Sequence, residues 1–401
     1  MSMNIQVPCG SIVEEDQNPD YNPKNFYPTR VGETIQGKYR IISKLGFGTS
    51  STTWLAKDTS RRWRWQSNKY VALKITNSKI EDQKAAREEV QFFKHISNLY
   101  STHAGSGLIR RFEESFEIQG PFGAHVCLVF EPMREPIWFV GKRLGCTSLP
   151  PAVAKAFVKV IVTSLVFLHS ECHIIHTDLK SDNFFLAFED SAIIEEYVRQ
   201  QEKSPAPFKD GDGHPVYQSR PDFGPLKKGI GKIRLSDFGA AVFGNVSTPH
   251  SHDIQPFEFT APEVLLRGTW TYSADIWNLG MMLWELLADT SLLNGIGPGC
   301  TSYSHEAHLG QMIRLLGPLP LELLNRADKN VVSTLFSDQG DFKYPHLVPS
   351  EDFNFSTVTP FFEGEDKRLF LNFAKRMLTW MPEERATAKE LLDDPWLDLR
   401  R

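Results

Sequence analysis

The sequence predicts an α+β fold in two lobes, the smaller rich in strands and the larger in helices. Three observations carry this. Strand-length apolar runs crowd the region from Tyr39 to Phe130. A long stripe at helical spacing follows Pro150-Pro151, and another apolar helix pattern opens at Asp275. A chain of 401 residues is also long enough for two cores. Hydrophobic content of 41% and charged content of 23% are ordinary for a soluble globular chain. The net charge of −5 argues against a nucleic-acid binder and permits a basic partner. Cys9, Cys127, Cys146, Cys172 and Cys300 are scattered, with no C-x-x-C pair. That pattern indicates neither a zinc site nor a disulfide framework, and it fits a reducing intracellular compartment, cytoplasmic or nuclear. Met1 to Gly10 lacks a basic stretch followed by an apolar one, and no apolar run reaches bilayer length, so neither a signal peptide nor a membrane partner is expected.

Residues 1–38 are rich in Pro, Asn, Asp and Glu and hold no period, which reads as an N-terminal extension, partly ordered. Tyr21, Phe26 and Tyr27 are the residues there that could dock on a folded domain. Strands follow at Tyr39–Leu45 and Thr52–Ala56, joined by Gly46-Phe47-Gly48-Thr49-Ser50-Ser51. A glycine hairpin of this kind suits the covering of a nucleotide's phosphates by backbone N–H groups. In the strand Lys69–Ile75, Val71, Leu73 and Ile75 share one face, and Ala72 and Lys74 the other. Arg61-Arg62-Trp63-Arg64-Trp65, just before it, reads as a basic, aromatic hairpin tip. Ile80 to Asn98 is a charged helix carrying Glu88 and Glu89. Leu108–Phe116 and His125–Phe130 read as strands, the second running into Glu131-Pro132-Met133.

Beyond Pro150-Pro151, Val153, Phe157, Ile161, Leu165 and Leu168 form one helical face. That helix delivers His176-Thr177-Asp178-Leu179-Lys180-Ser181-Asp182-Asn183, ahead of a short strand at Phe184-Phe185-Leu186. Phosphoryl transfer needs a carboxylate near the attacking hydroxyl, a cation near the moving phosphate and an oxygen ligand for Mg2+. Asp178, Lys180 and Asn183 supply these at one spacing. About 188–231 reads as a surface insert, partly disordered, with five prolines and two Asp-Gly pairs. It contains Asp222-Phe223-Gly224, with no apolar strand before it. A second copy, Asp237-Phe238-Gly239, ends the strand Lys232–Ser236. A buried Glu263 in Ala261-Pro262-Glu263 would need a cation, for which Arg385 is the candidate.

H-x-D-x-K-x-x-N, V-A-L-K, D-F-G and A-P-E occur in one order over about residues 39 to 397, and in this the chain resembles the eukaryotic protein kinases. The resemblance implies a bilobal kinase fold, with an N-lobe at 39–132 and a C-lobe at 133–399, and ATP with Mg2+ as cofactors. It implies that Gly46 and Gly48 lie over the nucleotide and that Lys74, under that lid beside Ala72, holds its phosphates. Glu89 is then the partner of Lys74, with Glu88 as the alternative. Glu131 and Met133 form the hinge toward adenine, with Phe130 behind it. Asp178 is the catalytic carboxylate, Lys180 the neutralising cation, and Asn183 and Asp237 the metal ligands. The implied activity is a serine/threonine protein kinase acting on a protein substrate. The alternative is a nucleotide-binding scaffold with little turnover.

Finer features resemble the SR-protein kinase branch, whose substrates are Arg/Ser-rich. Ile174-Ile175-His176-Thr177-Asp178, Asp253-Ile254-Gln255 and Ala274-Asp275-Ile276-Trp277 carry this likeness. Two departures stand against an Arg/Ser substrate. Arginines expected between Gln255 and Glu263 are replaced by Pro256, Phe257 and Thr260. The segment Leu293 to Glu306, where the branch has several acids, reads Asn294-Gly295-Ile296-Gly297-Pro298-Gly299-Cys300, with Glu306 nearly alone. The partner is thus an Arg/Ser-rich or otherwise basic protein; oligomeric state is not legible.

Overall fold

Alternation along the first strands decides which face each side chain joins. The structure, a computed structural model, describes residues 13–60, 68–211 and 214–399. Six strands form one antiparallel sheet: β1 (Thr34–Ile35), β2 (Tyr39–Phe47), β3 (Ser51–Asp58), β4 (Lys69–Thr76), β5 (Phe112–Gly120) and β6 (Gly123–Phe130), in the order β1-β2-β3-β4-β6-β5. Ile41, Trp54, Ala56, Val71, Leu73, Ile75, Cys127 and Val129 are buried in one cluster on one face. Leu55 and Tyr70, one residue out of phase, join a second cluster. Helix α1 spans Ile80–Asn98. The loop Arg61-Arg62-Trp63-Arg64-Trp65 lies outside the described residues.

The chain divides into two compact units. The first holds the residues up to Tyr100, Ile109–Glu135 and Phe185–Gly239; the second holds Ser101–Leu108, Pro136–Phe184 and the residues from Ala240 on. These lines differ from the expected division at 132/133: the first unit runs on to Glu135 and takes in the insert, and Ser101–Leu108 joins the second. Nor is it a disordered excursion. Asp190 caps the helix Ser191–Lys203 by accepting the Ala192 N–H. That helix buries Ile193, Ile194, Tyr197 and Val198 against Leu55 and Tyr70. Phe223, from the first Asp-Phe-Gly copy, packs on Tyr197 and Phe188, so this copy is a structural wedge. The hairpin Phe208–Gly211/His214–Tyr217 sets Tyr217 edge-on to Trp54. Where the insert rejoins, Gly231 is obligatory: a Cβ there would stand 1.9 Å from the Ala187 carbonyl oxygen. Strand β5 also begins four residues later than Leu108, since Arg110 donates its N–H to the Leu235 carbonyl instead of to the sheet.

The arm is built into this unit from Val13 on. Phe26 is buried, and Tyr27 meets His125 edge-on at 5.6 Å. Lys44 of β2 is 1% exposed, and its ammonium sits 2.7 Å from Glu14 and 2.5 Å from Glu15. A buried ammonium without a counter-charge is far costlier than the pair.

In the second unit the helix Pro151–Phe167 runs on through a π turn to Cys172. These 22 residues are long and apolar enough to cross a membrane by length and composition, against the expectation that no apolar run reaches that length. Half of the stretch is buried within the protein, with Phe157, Val158, Ile161, Val162 and Leu165 in the core. The helix Ser273–Ala288 is buried on almost every side. Glu263 and Arg385 meet as a forked pair at 2.7 and 2.6 Å, both buried, with the guanidinium over Trp277. In the helix His305–Leu316, His308 is fully buried and its Nδ1 lies 3.0 Å from the Tyr303 hydroxyl.

Two stability outcomes follow from these buried charges. In E14A/E15A, Lys44 stays buried without its carboxylates, and urea denaturation should show a loss of roughly 3 kcal/mol. A change under about 0.5 kcal/mol would contradict the pairing as described. Burial, helped by His305, pushes the His308 imidazole down to about 3, against an unfolded value of about 6.5. Between those values the unfolded chain takes up a proton that the folded chain refuses. Stability is therefore intact above pH ~6.5 and is lost as pH falls toward 3. Denaturation midpoints at pH ~6.5 and ~4.5 should show His308→Gln losing on the order of 2 kcal/mol less than the wild type; parallel losses would remove this role.

Candidate active site

Strand β4 turns Lys74 away from the face that carries Val71, Leu73 and Ile75, and its ammonium is met by two carboxylates. Glu89 of α1 lies at 2.8 Å and Asp237 at 2.9 Å. Glu89 is 2% exposed, whereas the adjacent Glu88 faces Lys84 on the surface. Glu89 is therefore the partner of Lys74 in the structure. Burial pulls the ammonium down, but Asp237 and Glu89 outweigh it and hold it well above its ordinary value. Burial pushes the Glu89 carboxyl up, and Lys74 opposes this. Asp237 has a φ of 64°, an unusual conformation for a non-glycine residue, which accumulates where function demands it. Phe238 follows it and packs edge-on to Phe93 of α1 at 5.0 Å, and Phe93 in turn stacks on Phe112.

The hairpin between β2 and β3 is tight: the Gly48 N–H donates to the Ser51 carbonyl at 2.8 Å. Neither Gly46 nor Gly48 has a positive φ, and a Cβ at either would touch nothing. The fold does not require glycine at these positions. Bare backbone there leaves room for a ligand's phosphates to approach the N–H groups. Ala72 pairs with Phe130 across the sheet, and Phe130 is wedged edge-on against Phe93 and Phe112. After Phe130 the chain leaves the sheet. The Glu131 N–H donates to the Arg111 carbonyl, and the Glu131 carbonyl accepts from Arg110. Met133 is 4% exposed, yet neither its N–H nor its C=O has a hydrogen-bond partner among the described residues. A buried peptide unit left open in this way is what a bound ligand would satisfy.

In the second unit, Asp178, Lys180 and Asn183 form one cluster. The Lys180 ammonium lies 2.9 Å from the Asp178 carboxylate. The Asn183 amide donates to the Asp178 carbonyl at 2.8 Å and to its carboxylate at 3.0 Å. With its NH2 group engaged, Asn183 presents its amide oxygen, a hard donor suited to Mg2+. Asp237, a carboxylate, is of the same kind. No group of three or more His, Cys, Asp or Glu side chains that could hold a metal occurs among the described residues.

Sequence reasoning missed the residue that shapes this loop. Asp275, fully buried, accepts the N–H groups of His176 and Thr177, each at 2.8 Å, and meets His169 at 2.9 Å. Thr177 has a φ of 67° and donates its hydroxyl to the Ala240 carbonyl. Glu285 likewise accepts the hydroxyl of Ser181 at 2.7 Å. Ala274-Asp275-Ile276-Trp277 stood out as a motif, but a carboxylate at a helix start also reads as a solvated residue.

Comparison with known proteins fits this arrangement. Residues 39–397 match the protein kinase domain family. A serine/threonine protein kinase of Aspergillus fumigatus is 38% identical over 387 residues, covering 96% of this chain and 91% of that protein. The serine/threonine-protein kinase SRPK of Physarum polycephalum is 29% identical, covering 96% and 91%. The crystal structure of a kinase domain superposes with a TM-score of 0.67 at 23% identity, over 94% of this chain and all of that one; it shares the fold.

Asp275→Asn keeps the size of the side chain and removes the charge that both loop N–H groups address. Turnover should fall at least tenfold while the nucleotide dissociation constant stays within about threefold, since Asp275 positions the loop and not the Lys74 cluster. Steady-state kinetics beside calorimetric nucleotide binding decides it. Unchanged turnover, or equal loss of both, would contradict the assignment.

Proposed function

We propose that this chain, which belongs to the protein kinase family and is a serine/threonine protein kinase, transfers the γ-phosphoryl group of Mg-ATP to single serine or threonine residues in basic surroundings. The observation that carries this is the Lys74 ammonium held between Glu89 and Asp237, with an open peptide unit at Met133 in the same unit. Lys74, fixed by Glu89, holds the phosphates. Asp178 orients the acceptor hydroxyl and takes its proton, and Lys180 beside it balances the charge of the phosphoryl group as it moves. Asn183 of the second unit and Asp237 of the first each offer a hard oxygen of the kind Mg2+ takes, and the ion would supply charge neutralisation at the phosphate oxygens. Most of the rate enhancement is then positioning and electrostatics.

A cavity of the second unit supports the substrate reading. A cavity of about 480 Å³ there is lined by Asp253, Gln255, Phe257, Arg267, His305 and Glu306. Phe257 is largely exposed and stacks on Tyr303. Two carboxylates beside a guanidinium make a weak trap for a run of arginines, and an aromatic wall suits an apolar neighbour of the target residue. Four cysteines among the described residues, Cys127, Cys146, Cys172 and Cys300, are free thiols, which supports an intracellular setting.

Asp178→Asn should abolish turnover and leave ATP binding nearly intact, because its carboxylate serves the acceptor hydroxyl. Turnover within a few-fold of wild type would sink that role. An Arg/Ser repeat peptide should be phosphorylated one site per encounter, with a KM no lower than that of a single-serine basic peptide. Multi-site phosphorylation in one encounter, with a low and strongly salt-dependent KM, would show the substrate reading to be wrong.

A further inference from the structure

Arg110 occupies a position that the proposed reaction does not use. It stands at the entry to β5, partly buried, with its guanidinium 4.8 Å from the centre of the Phe130 ring and 5.6 Å from that of Phe185. Nη1 lies 3.3 Å from the Ser236 hydroxyl. Nε and Nη2 both donate to one acceptor, the Glu131 main-chain carbonyl, at 3.2 and 3.1 Å. The Glu131 carboxylate is held as well, by the Arg111 N–H at 2.9 Å and by Arg234 at 3.0 Å. A carbonyl oxygen has two lone pairs. Two donors of the guanidinium fork already crowd this oxygen, and the positive charge makes the spot hostile to a further N–H donor.

This matters for how a purine is recognised at the segment Glu131–Met133. The 6-amino purine edge presents a donor beside a ring-nitrogen acceptor; the 6-keto edge presents an acceptor beside a ring N–H donor. One N–H and one C=O on a single residue fit either edge, with the base displaced slightly between them. Telling the two apart takes a third group in fixed register, such as an open carbonyl that demands the exocyclic amine. Met133 offers its open N–H and C=O, and Glu131 offers nothing further. We propose that Arg110 sets the base specificity of the nucleotide site by taking over the Glu131 carbonyl, so that the base is read through Met133 alone and GTP is accepted alongside ATP. The inference rests on Glu131–Met133 being the nucleotide-binding hinge of the kinase read above. Nothing in the polyphosphate chemistry changes: the same bond to the γ-phosphorus breaks, with GDP leaving in place of ADP.

An open carbonyl facing a keto oxygen would disfavour GTP by about 10- to 100-fold, the cost of a buried group left unpaired. With Arg110 in place that penalty is absent. The test measures kcat/KM of the purified full chain with Mg-ATP, Mg-GTP and Mg-ITP on a basic protein substrate, alongside calorimetric dissociation constants for the same three nucleotides. The proposal expects the wild type to favour ATP over GTP and ITP by less than about thirtyfold in both readouts. It expects Arg110→Met to move both ratios toward ATP by at least fivefold, because the freed carbonyl then accepts the amine. A wild-type preference beyond about thirtyfold overturns it. So does a folded Arg110→Met with unchanged ratios, since a purely structural arginine would alter yield or melting temperature and leave the ratios alone. If Arg110→Met does not fold, Arg110→Lys, which keeps the charge and loses the fork, should give a smaller shift in the same direction, and no shift counts against the proposal. Absence of turnover with all three nucleotides would instead strike the phosphotransfer reading; the binding ratios would still decide the role of Arg110.

Discussion

One partly buried ammonium governs the first unit. The Lys74 side chain, 18% exposed, is largely withdrawn from water, and a charge so placed is costly unless paired, so the fold brings carboxylates to it. Glu89 reaches it only if α1 lies against the sheet at the depth that Phe93, Phe112 and Phe130 set by packing together. Asp237 reaches it only if the chain takes a left-handed turn directly after the Ile233–Leu235 strand. Hydrophobic packing and charge pairing therefore select the same arrangement. A shift of α1 by one residue would offer Lys74 a different side chain and leave Glu89 buried alone.

The second unit repeats this economy with the sign reversed. Asp275 is a buried carboxylate, and the groups that satisfy it are the main-chain N–H donors of His176 and Thr177 with the His169 ring. Loop and helix are thereby locked together, and Thr177 takes a conformation that the loop alone would not favour. Asp178 and Asn183 inherit their positions from that lock. The Glu263–Arg385 fork does the same for the segment at the far end of the 240–263 stretch. In each case a charge is buried and a specific distant segment must answer it, which gives directional information that apolar contact lacks.

The strands of the sheet were legible because period two at Tyr39, Ile41, Val71, Leu73 and Ile75 is enforced by a face that must be apolar. The site motifs were legible for a related reason, since each requires unlike groups at fixed spacing over a few residues. The insert was misread. Its prolines and glycines mark turns, yet Ile193, Ile194, Tyr197 and Val198 also form a helical stripe that buries against β3 and β4, and local composition does not show what a distant strand will cover. Arg110 was illegible for a different reason. A cation at the head of a strand is usually solvated, and only the fold reveals that its acceptor is a main-chain carbonyl, a group that leaves no trace in a side-chain sequence. The start of β5 was set too early because Ile109 and Arg110 pair with the strand at Leu235, a choice that depends on tertiary partners.

The direct test of the Lys74 cluster follows the γ-phosphoryl group from isotopically labelled ATP in parallel assays of the wild type and Lys74→Met. Melting temperature and mass-spectrometric site mapping should accompany both. The account predicts label on serine or threonine side chains of a basic protein substrate with the wild type. With Lys74→Met it predicts a folded protein whose transfer is lower by at least a hundredfold. Transfer by Lys74→Met within a few-fold of wild type, or nucleotide binding by the wild type with no label on protein, would contradict it.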